Sequence, residues 1–393
     1  MDKKKILLVS LGHLSCDING GALPAILPFL RAAYDLSYQA TGGLMFAYAC
    51  LSSMIQPLFG LLSDRFSKPW FIPLGVLLAG CGLAAIGWMP GYWGIFAAIG
   101  LSGVGAALFH PEGARFANAV SGQNKGTGMS LFSIGGNGGF VLGPLLATAS
   151  LGAFGLPGTT IFAVLAVMTA GVLVWSIARM GATKKTAAAG GKTAPATGAE
   201  GETPGENNWR EFLKLTVSIV TRSITFVGFN TFIPLYWVSA FGQSTATGAM
   251  ALTFFCVCGV ISNFFGGMLA DKFGYRAVIR VVFALMPPVV ACFSLSSNLY
   301  AAWALLPLLG FVLYAPFSAQ VVLGQQYLAK NIGFASGITL GLVTSLGGVV
   351  APLLGWIADH YGMAATFQSL AALSIVGAIF AYALKPVTVK KGK

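Results

Sequence analysis

Charged side chains are scarce in this chain. Only 9% of its 393 residues are Asp, Glu, Lys or Arg, whereas 56% are hydrophobic and the mean hydropathy is +0.79. A soluble domain carries about 25% charged residues, so this chain lacks the polar surface that a water-soluble enzyme needs. A bilayer span takes roughly 20 apolar residues, and apolar runs of that length recur here without the alternation typical of strands. The composition therefore predicts a polytopic membrane protein built from helices.

Disulfide frameworks and catalytic motifs are missing as well. The six cysteines all lie inside apolar runs and form no zinc-ligand array, so they are predicted to be free packing thiols. The sequence contains no His-Glu-x-x-His helix, nucleophile elbow or phosphate loop. We therefore expect no enzyme activity, no cofactor and no resident metal ion. The N-terminal apolar run extends beyond a signal-peptide core, which predicts a retained first helix.

Apolar runs between turn signals predict twelve transmembrane helices. They cover residues 6–31, 38–63, 71–90, 92–119, 126–152, 157–180, 211–240, 246–270, 276–297, 299–329, 332–358 and 363–385. Residues 181–210 are small, polar and charged, and they are predicted to form a flexible cytoplasmic linker. This linker would separate an N-terminal six-helix bundle, residues 1–180, from a C-terminal six-helix bundle, residues 211–393.

The basic residues fall almost entirely on one side of these predicted spans. Of the 23 Lys and Arg residues, all but Arg31, Arg115 and Arg222 lie in segments that share a side with the N-terminus. Basic loops stay in the cytoplasm, so both termini are predicted to be cytoplasmic and the protein to reside in the cell membrane. The net charge of +12 then reflects membrane orientation, and we expect no nucleic-acid partner.

The two halves repeat one another at a nearly constant spacing. A Gly-x-Leu-x-Asp-basic pattern ends the second predicted helix and a close copy ends the eighth; the residues are Gly60, Asp64, Arg65 and Lys68, and then Gly267, Asp271, Lys272 and Arg276. We predict that each carboxylate pairs with a neighbouring helix end and latches one orientation of the halves. The alternative is a pair of plain solvated helix ends.

Prolines and glycines inside the predicted helices also recur between the halves. Proline removes a backbone donor, so these positions are expected to bend or loosen helices that move. The predicted helix-bend residues are Pro24, Pro111, Gly143, Pro144, Pro234 and Pro352.

Several ionisable residues fall inside predicted helices. Each buried charge costs roughly 2.5–3.5 kcal/mol in a bilayer, so such residues persist where they face the bundle interior or water. His13 and Asp17 lie one helical turn apart, and we predict that Asp17 carries a proton while His13 tunes it. The alternative is a hydrogen-bonded pair that only holds helices together.

A second polar cluster surrounds Pro111. His110, Glu112 and Arg115 are predicted to line the substrate or proton pathway, beside carbonyls that the proline frees. The alternatives are a salt bridge between Glu112 and Arg115 without a transport role, and an Arg115 that snorkels to the cytoplasmic interface.

Arg222 has no acidic residue within four positions on its helix. An unpaired guanidinium that faces a cavity would bind an anion, whereas the alternative is again snorkelling at the cytoplasmic end. Asp359 and His360 are expected to lie in the last external loop, in solvent.

The duplicated halves and the repeated Gly-x-Leu-x-Asp-basic pattern resemble the major facilitator superfamily. Gly139-x-x-x-Gly143-Pro144 resembles the antiporter motif of drug–proton exchangers, although Ala147 and Thr148 stand where a twin glycine follows in that motif. The resemblance implies two six-helix halves with substrate held between them near the bilayer midplane.

Four short segments resemble the fosmidomycin-resistance branch of that superfamily. They are Gly12-His13-x-x-x-Asp17, Pro24-x-x-x-Pro28, Gln56-Pro57-x-x-Gly60 and Phe109-His110-Pro111-Glu112. This resemblance implies drug efflux driven by proton antiport, with a small phosphonate as the namesake substrate and Arg115 or Arg222 as suitable partners of the anion. Many proton antiporters carry an arginine where this chain has Ile99, so the histidines and acids would have to perform any coupling.

The residues and the resemblance together predict a secondary transporter that works by alternating access. It would exchange protons for a small anionic or amphiphilic compound such as a drug, with the proton gradient as energy source, and a monomer is expected. A proton-coupled importer of an organic anion would use the same residues. A transporter of a transition metal or metal chelate is the other alternative, because His13, Asp17, His110 and Glu112 carry suitable donor atoms.

Overall fold

Helices make up the regular structure of this chain. The computed structural model describes residues 2–55, 70–122, 125–182, 206–331, 334–335, 338–339 and 343–387, and no strand occurs among them. The N-terminal part of the chain contains α1 (Lys3–Tyr34), α2 (Tyr38–Ala49), α3 (Phe71–Ala85), α4 (Tyr92–Val120), α5 (Lys125–Phe154) and α6 (Thr160–Ala182). A π-helical turn, Cys50–Met54, continues α2.

Seven further helices follow in the C-terminal part. They are α7 (Trp209–Phe241), α8 (Thr245–Phe273), α9 (Tyr275–Ser294), α10 (Leu299–Tyr314), α11 (Phe317–Tyr327), α12 (Val343–Tyr361) and α13 (Met363–Tyr382). The predicted span 299–329 thus consists of two helices, α10 and α11. Pro316 explains the break, because it has no N–H with which to continue the hydrogen bonds of the helix.

Ten helical segments in the described ranges are long and apolar enough to cross a membrane, counting Leu299–Tyr327 as one. The predicted spans 38–63 and 332–358 are described only in part, by α2 and α12. At the edges of the predicted linker, 181–210, α6 runs to Ala182 and α7 begins at Trp209; residues 183–205 lie outside the described ranges, so the linker stays a prediction. The all-α membrane architecture is confirmed.

The chain packs into two compact units. The first joins Met1–Thr183 with Phe229–Cys256 and Gly348–Met363, and the second contains Lys184–Gly228, Val257–Gly347 and Ala364–Lys393. The boundaries of the two predicted bundles, 1–180 and 211–393, stay a prediction.

Asp2 caps the first helix at its N-terminus. Its carboxylate accepts a hydrogen bond from the backbone N–H of Lys5 and lies 3.0 Å from the Lys5 ammonium. These Lys5 contacts hold the pKa of Asp2 below its ordinary value. The Asp2 N–H donates to the carbonyl of Val120 at 2.9 Å, so the start of α1 and the end of α4 lie at the same end of the first unit.

Glycines let α1 and α5 touch through their backbones. A Cβ added at Gly139 would lie 2.6 Å from the backbone nitrogen of Ile18, and one at Gly143 would lie 2.5 Å from that of Ala22. Small residues permit this approach where no water drives helix association. The close packing places the polar residues of α1 directly against α5.

Candidate functional site

Three polar side chains meet inside the first unit. His13 and Asp17 lie one turn apart on α1, and α4 contributes His110; these three residues are called the triad below. The Asp17 carboxylate lies 3.1 Å from His13 through Oδ2 and 3.0 Å from His110 through Oδ1, each time to the Nε2 atom. One carboxylate thus bridges two imidazoles. The predicted pairing of His13 with Asp17 is present, and the structure adds His110 to it.

Backbone carbonyls fix the proton on the other nitrogen of each imidazole. His13 Nδ1 lies 2.8 Å from the carbonyl of Phe132, and His110 Nδ1 lies 2.7 Å from that of Ala106. A carbonyl oxygen only accepts hydrogen bonds, so both Nδ1 atoms are assigned as donors. Each Nε2 atom is therefore the one that faces Asp17 with a lone pair or an added proton.

The triad is largely shielded. The His13 and Asp17 side chains are 11% and 8% exposed, whereas His110 is 28% exposed. The His13 ring stacks on Phe132 with ring centroids 4.0 Å apart, and Phe109 packs beside it at 5.7 Å. His110 is thus the most exposed of the three side chains.

Gly136 on α5 provides the space in which His13 and Asp17 meet. A Cβ at this position would lie 2.6 Å from His13 Nε2 and 2.7 Å from Asp17 Oδ2, closer than real Cβ contacts come. Sequence reasoning missed this residue. The signal that would have found it is the Gly135-Gly136-x-Gly138-Gly139 run, an unusual density of glycine in a predicted helix.

The same geometry bears on the metal alternative. One ligand atom from each triad residue lies within 4.8 Å of the others, a spacing that a divalent ion would fit. Two imidazoles and a carboxylate are a donor set that zinc or ferrous iron accepts. None of the six cysteines joins the cluster.

The other polar residues around Pro111 lie in different surroundings. Glu112 is buried at 5% exposure, whereas Arg115, one turn further along α4, is exposed. Pro111 lies inside a helix that continues on both sides of it. The pathway role of Glu112 and Arg115 stays a prediction.

Arg222 lies in the second unit, on α7, and is buried. Its Nε atom donates to Gln320 Oε1 at 2.9 Å, and its Nη1 atom donates to the carbonyl of Leu313 at 2.7 Å. The guanidinium carbon lies 5.7 Å from the ring centroid of Phe317. No carboxylate pairs with it among the residues that the structure describes. This burial is not the snorkelling arrangement, and Gln320 is a partner that the sequence alone did not identify.

Only the second of the two latch motifs can be described. Gly60, Asp64, Arg65 and Lys68 lie outside the described residues. In the second motif, Gly267 has open space around it, Asp271 accepts a hydrogen bond from the Tyr275 hydroxyl at 3.0 Å, and Lys272 lies over the Phe273 ring. Arg276 follows on the first turn of α9. The latch role of both motifs stays a prediction.

The predicted helix-bend residues all lie within helices. Pro24, Pro111, Pro144, Pro234 and Pro352 lie inside α1, α4, α5, α7 and α12, in that order. Gly143 instead serves the backbone contact between α5 and α1. Their part in helix bending is a prediction that the helix bounds leave untested.

Asp359 is not in a loop as expected, because α12 extends to Tyr361. Its carboxylate is exposed, and it also accepts two backbone hydrogen bonds of 2.8 Å, from Tyr38 and Gln39. These N–H groups belong to the first turn of α2, which has no partners of its own for them. Asp359 therefore caps a helix more than three hundred residues earlier in the chain.

Two relatives match this chain over nearly its whole length. The uncharacterized MFS-type transporter YfnC of Bacillus subtilis (strain 168) is 28% identical over 387 residues, which is 95% of this chain and 90% of that protein. The fosmidomycin resistance protein of Escherichia coli (strain K12) is 28% identical over 369 residues, which is 94% of this chain and 90% of that protein.

Solved structures share the fold. A bacterial homologue of the human lysosomal transporter Spinster, in an inward-facing and occupied conformation, has a TM-score of 0.80 at 14% identity and covers 98% of this chain and 96% of its own. The nucleoside transporter NupG has a TM-score of 0.75 at 13% identity and covers 97% of this chain and 100% of its own. These likenesses establish the twelve-helix architecture with two six-helix halves.

A family model agrees with both kinds of likeness. The model described as Major Facilitator Superfamily matches residues 9–352 and 229–393, which together take in almost the entire sequence. Proteins of this family are membrane transporters and not enzymes. The chain therefore belongs to the Major Facilitator Superfamily.

Proposed function

We propose that this protein exports a small anionic or amphiphilic compound, such as a drug, in exchange for protons. The triad is the observation that carries the proton part of the proposal. Family membership supplies transport itself, and the fosmidomycin resistance protein, 28% identical, supports drug efflux and antibiotic resistance as the setting. The expected cellular location is the cell membrane, with both termini in the cytoplasm, because the basic residues fall on one side of the spans.

The hydrogen bonds of the triad allow its protons to be counted. Both Nδ1 atoms donate to carbonyls at 2.7–2.8 Å, so an Nε2 atom without a proton presents only a lone pair. An ionised carboxylate oxygen also presents only lone pairs. The contacts of 3.0 and 3.1 Å between the Nε2 atoms and the Asp17 oxygens are attractive only when a proton lies between the two atoms of each contact. The closed triad is thus a two-proton state.

Loss of those protons would change the structure around the triad. Without a proton, an Nε2 atom and an Asp17 oxygen repel one another at this distance, and the contact between α1 and α4 opens. Proton binding on one side of the membrane and release on the other would then act directly on the packing of two helices. This is the kind of local charge event that can bias a two-state transporter.

The proposal is tested with the purified full-length protein in proteoliposomes that contain fosmidomycin. An imposed pH gradient should drive fosmidomycin across the membrane in the wild type. Asp17→Asn removes the negative charge and one of the two acceptor oxygens, and it should lower gradient-driven flux by at least about tenfold, the scale of losing a charged hydrogen-bond partner. Asp2→Asn, an exposed change at the start of the same helix, should leave the flux unchanged.

Two results would overturn the proposal. One is fosmidomycin flux that ignores the imposed pH gradient in the wild type, and the other is undiminished gradient-driven flux in Asp17→Asn. Net flux toward the side of high proton concentration indicates efflux by exchange, whereas net flux down the proton gradient indicates the importer.

The donor spacing of the triad favours one second candidate, a carrier of a transition metal or its chelate. Three donor atoms within 4.8 Å of one another would hold such an ion as cargo. Isothermal titration calorimetry of the purified protein with divalent metal ions decides this candidate. Absence of heat from binding eliminates it.

A further inference from the structure

The second unit contains a buried cation with which no carboxylate among the described residues pairs. Arg222 is 5% exposed, and the groups it contacts, Gln320 Oε1 and the Leu313 carbonyl, are dipoles and not charges. A guanidinium stays charged in proteins. Burying such a charge is costly unless it is paired. Among the described residues the pairing is missing, which points to a charge that arrives with a ligand.

The break between α10 and α11 explains the contact of Arg222 with Leu313. This carbonyl belongs to the last turn of α10, whose carbonyls have no helical partner. Nη1 of Arg222 donates the hydrogen bond that the helix does not supply to this carbonyl. The guanidinium is thereby held in one place, while its Nη2 atom makes no hydrogen bond to a described residue.

Gln320 adds a second unused donor beside the guanidinium. The Arg222 Nε atom is a donor, so the amide oxygen of Gln320 must face it and the amide nitrogen must point away. Gln320 is 1% exposed, and its Nε2 atom has no hydrogen-bond partner in the part of the chain that the structure describes. A buried N–H group without an acceptor is rare in native proteins, so this N–H group is expected to bind an acceptor.

We infer that Arg222 and Gln320 form a binding site for one oxyanion group, a phosphonate or a carboxylate, of a small soluble compound. Nη2 and Nε2 supply donors of the kind that bind such groups, and the charge of the anion neutralises the guanidinium. The ring of Phe317, 5.7 Å from the guanidinium carbon, lines the site with an apolar face. That the bound compound is also the transported one rests on the proposed function; the binding itself does not.

The experiment measures equilibrium binding of methylphosphonate to the full-length protein in neutral detergent, by its stabilisation against heat. A ligand that binds only the folded state raises the melting temperature with concentration. Methylphosphonate should raise it, and methylammonium at equal ionic strength should not. This readout needs no proton gradient, so it separates failure of the site from failure of proton-coupled transport.

Gln320→Glu is the decisive variant because it should fold. Its carboxylate accepts from Arg222 Nε as the amide oxygen did, pairs with the guanidinium and removes the free donor. We expect an unchanged or higher melting temperature without ligand, and methylphosphonate binding weakened by at least about tenfold, the loss expected for a charged hydrogen bond. Arg222→Lys should also bind at least about tenfold more weakly, since an ammonium loses the forked geometry.

Arg210→Gln is the matched control, since it removes an exposed arginine from the same helix, and it should bind methylphosphonate like the wild type. Equal binding by Gln320→Glu and the wild type would overturn the site, as would the absence of any methylphosphonate effect in the wild type. Abolition of the effect by added phosphatidylglycerol would overturn the assignment to a soluble compound and assign the site to a lipid headgroup.

Discussion

At the residue scale, the hydrogen bond on the far nitrogen decides what each imidazole of the triad does. His13 and His110 reach Asp17 through Nε2 because their Nδ1 atoms are bound to backbone carbonyls. Such second partners orient the ring and fix its tautomer. A histidine on the same helix face without that carbonyl would be free to turn away, so the carbonyls of Phe132 and Ala106 belong to the site as much as the side chains do.

Gly136 gives a residue-scale prediction. In Gly136→Ala the new methyl group would press on both His13 and Asp17, at 2.6 and 2.7 Å in the present geometry. Overpacking of this kind costs about 1–3 kcal/mol, and the cheapest relief is separation of the two side chains. We expect the pH dependence of transport to be lost while the protein still folds, measured by flux at a series of imposed pH gradients.

Gly152→Ala is the control for that prediction. Gly152 lies on the same helix, α5, and a Cβ there would meet nothing within 4 Å. The change should leave the pH dependence of transport as it is in the wild type. If Gly136→Ala and Gly152→Ala behave alike, Gly136 has no special relation to the triad.

Part of the site could be predicted from residues alone. His13 and Asp17 are four positions apart, so helical geometry places them on one face. The approach of His110 could not be predicted, because it depends on where α4 crosses α1. The contact of Gln320 with Arg222 could likewise not be predicted, because it joins positions ninety-eight residues apart.

At the element scale, α2 depends on a cap from another helix. Asp359 at the end of α12 accepts the N–H groups of Tyr38 and Gln39 at 2.8 Å each. The helices also approach closely, since a Cβ at Gly42 would lie 2.7 Å from the carbonyl carbon of Ala351. A negative charge at a helix N-terminus is also favoured by the helix dipole. This contact ties the start of α2 to α12.

We expect the substitution Asp359→Asn to weaken the hydrogen bonding at the start of α2. An asparagine of the same size accepts through one oxygen, but its amide hydrogens face the second N–H, so about 1 kcal/mol of capping energy is lost. Hydrogen exchange measured by mass spectrometry should quicken in peptides that cover residues 38–42. His360→Gln, next to the cap and exposed, should leave that exchange rate unchanged, and faster exchange in this control would contradict a specific role of Asp359.

Hydropathy predicted the positions of the helices more accurately than it predicted whether each helix is continuous. Spans such as α4 and α9 lie within a few residues of their predicted bounds because long apolar runs leave little choice in a bilayer. The interruption at Pro316 was missed, since the flanking residues are as apolar as those of an unbroken span. A proline inside α4 is compatible with a continuous helix, whereas Pro316 separates two, and the local sequence does not distinguish these outcomes.

At the scale of the whole molecule, the predicted membrane orientation is based on the distribution of charge. The hydrogen bond from Asp2 to the Val120 carbonyl places the start of α1 and the end of α4 at the same end of the first unit. The basic residues Lys3, Lys4 and Lys5 therefore share an end with the segment that follows α4. That arrangement is what alternating helices with a cytoplasmic N-terminus would produce.

Cysteine labelling in intact cells tests this orientation. Ser297 and Lys330 are exposed residues near opposite ends of the span Leu299–Tyr327, and each can be changed to cysteine in a background whose six native cysteines are replaced by alanine. With cytoplasmic termini, a membrane-impermeant maleimide should label Ser297→Cys from outside and reach Lys330→Cys only after permeabilisation. The reverse pattern would place the basic loops outside and would contradict the prediction of cytoplasmic termini.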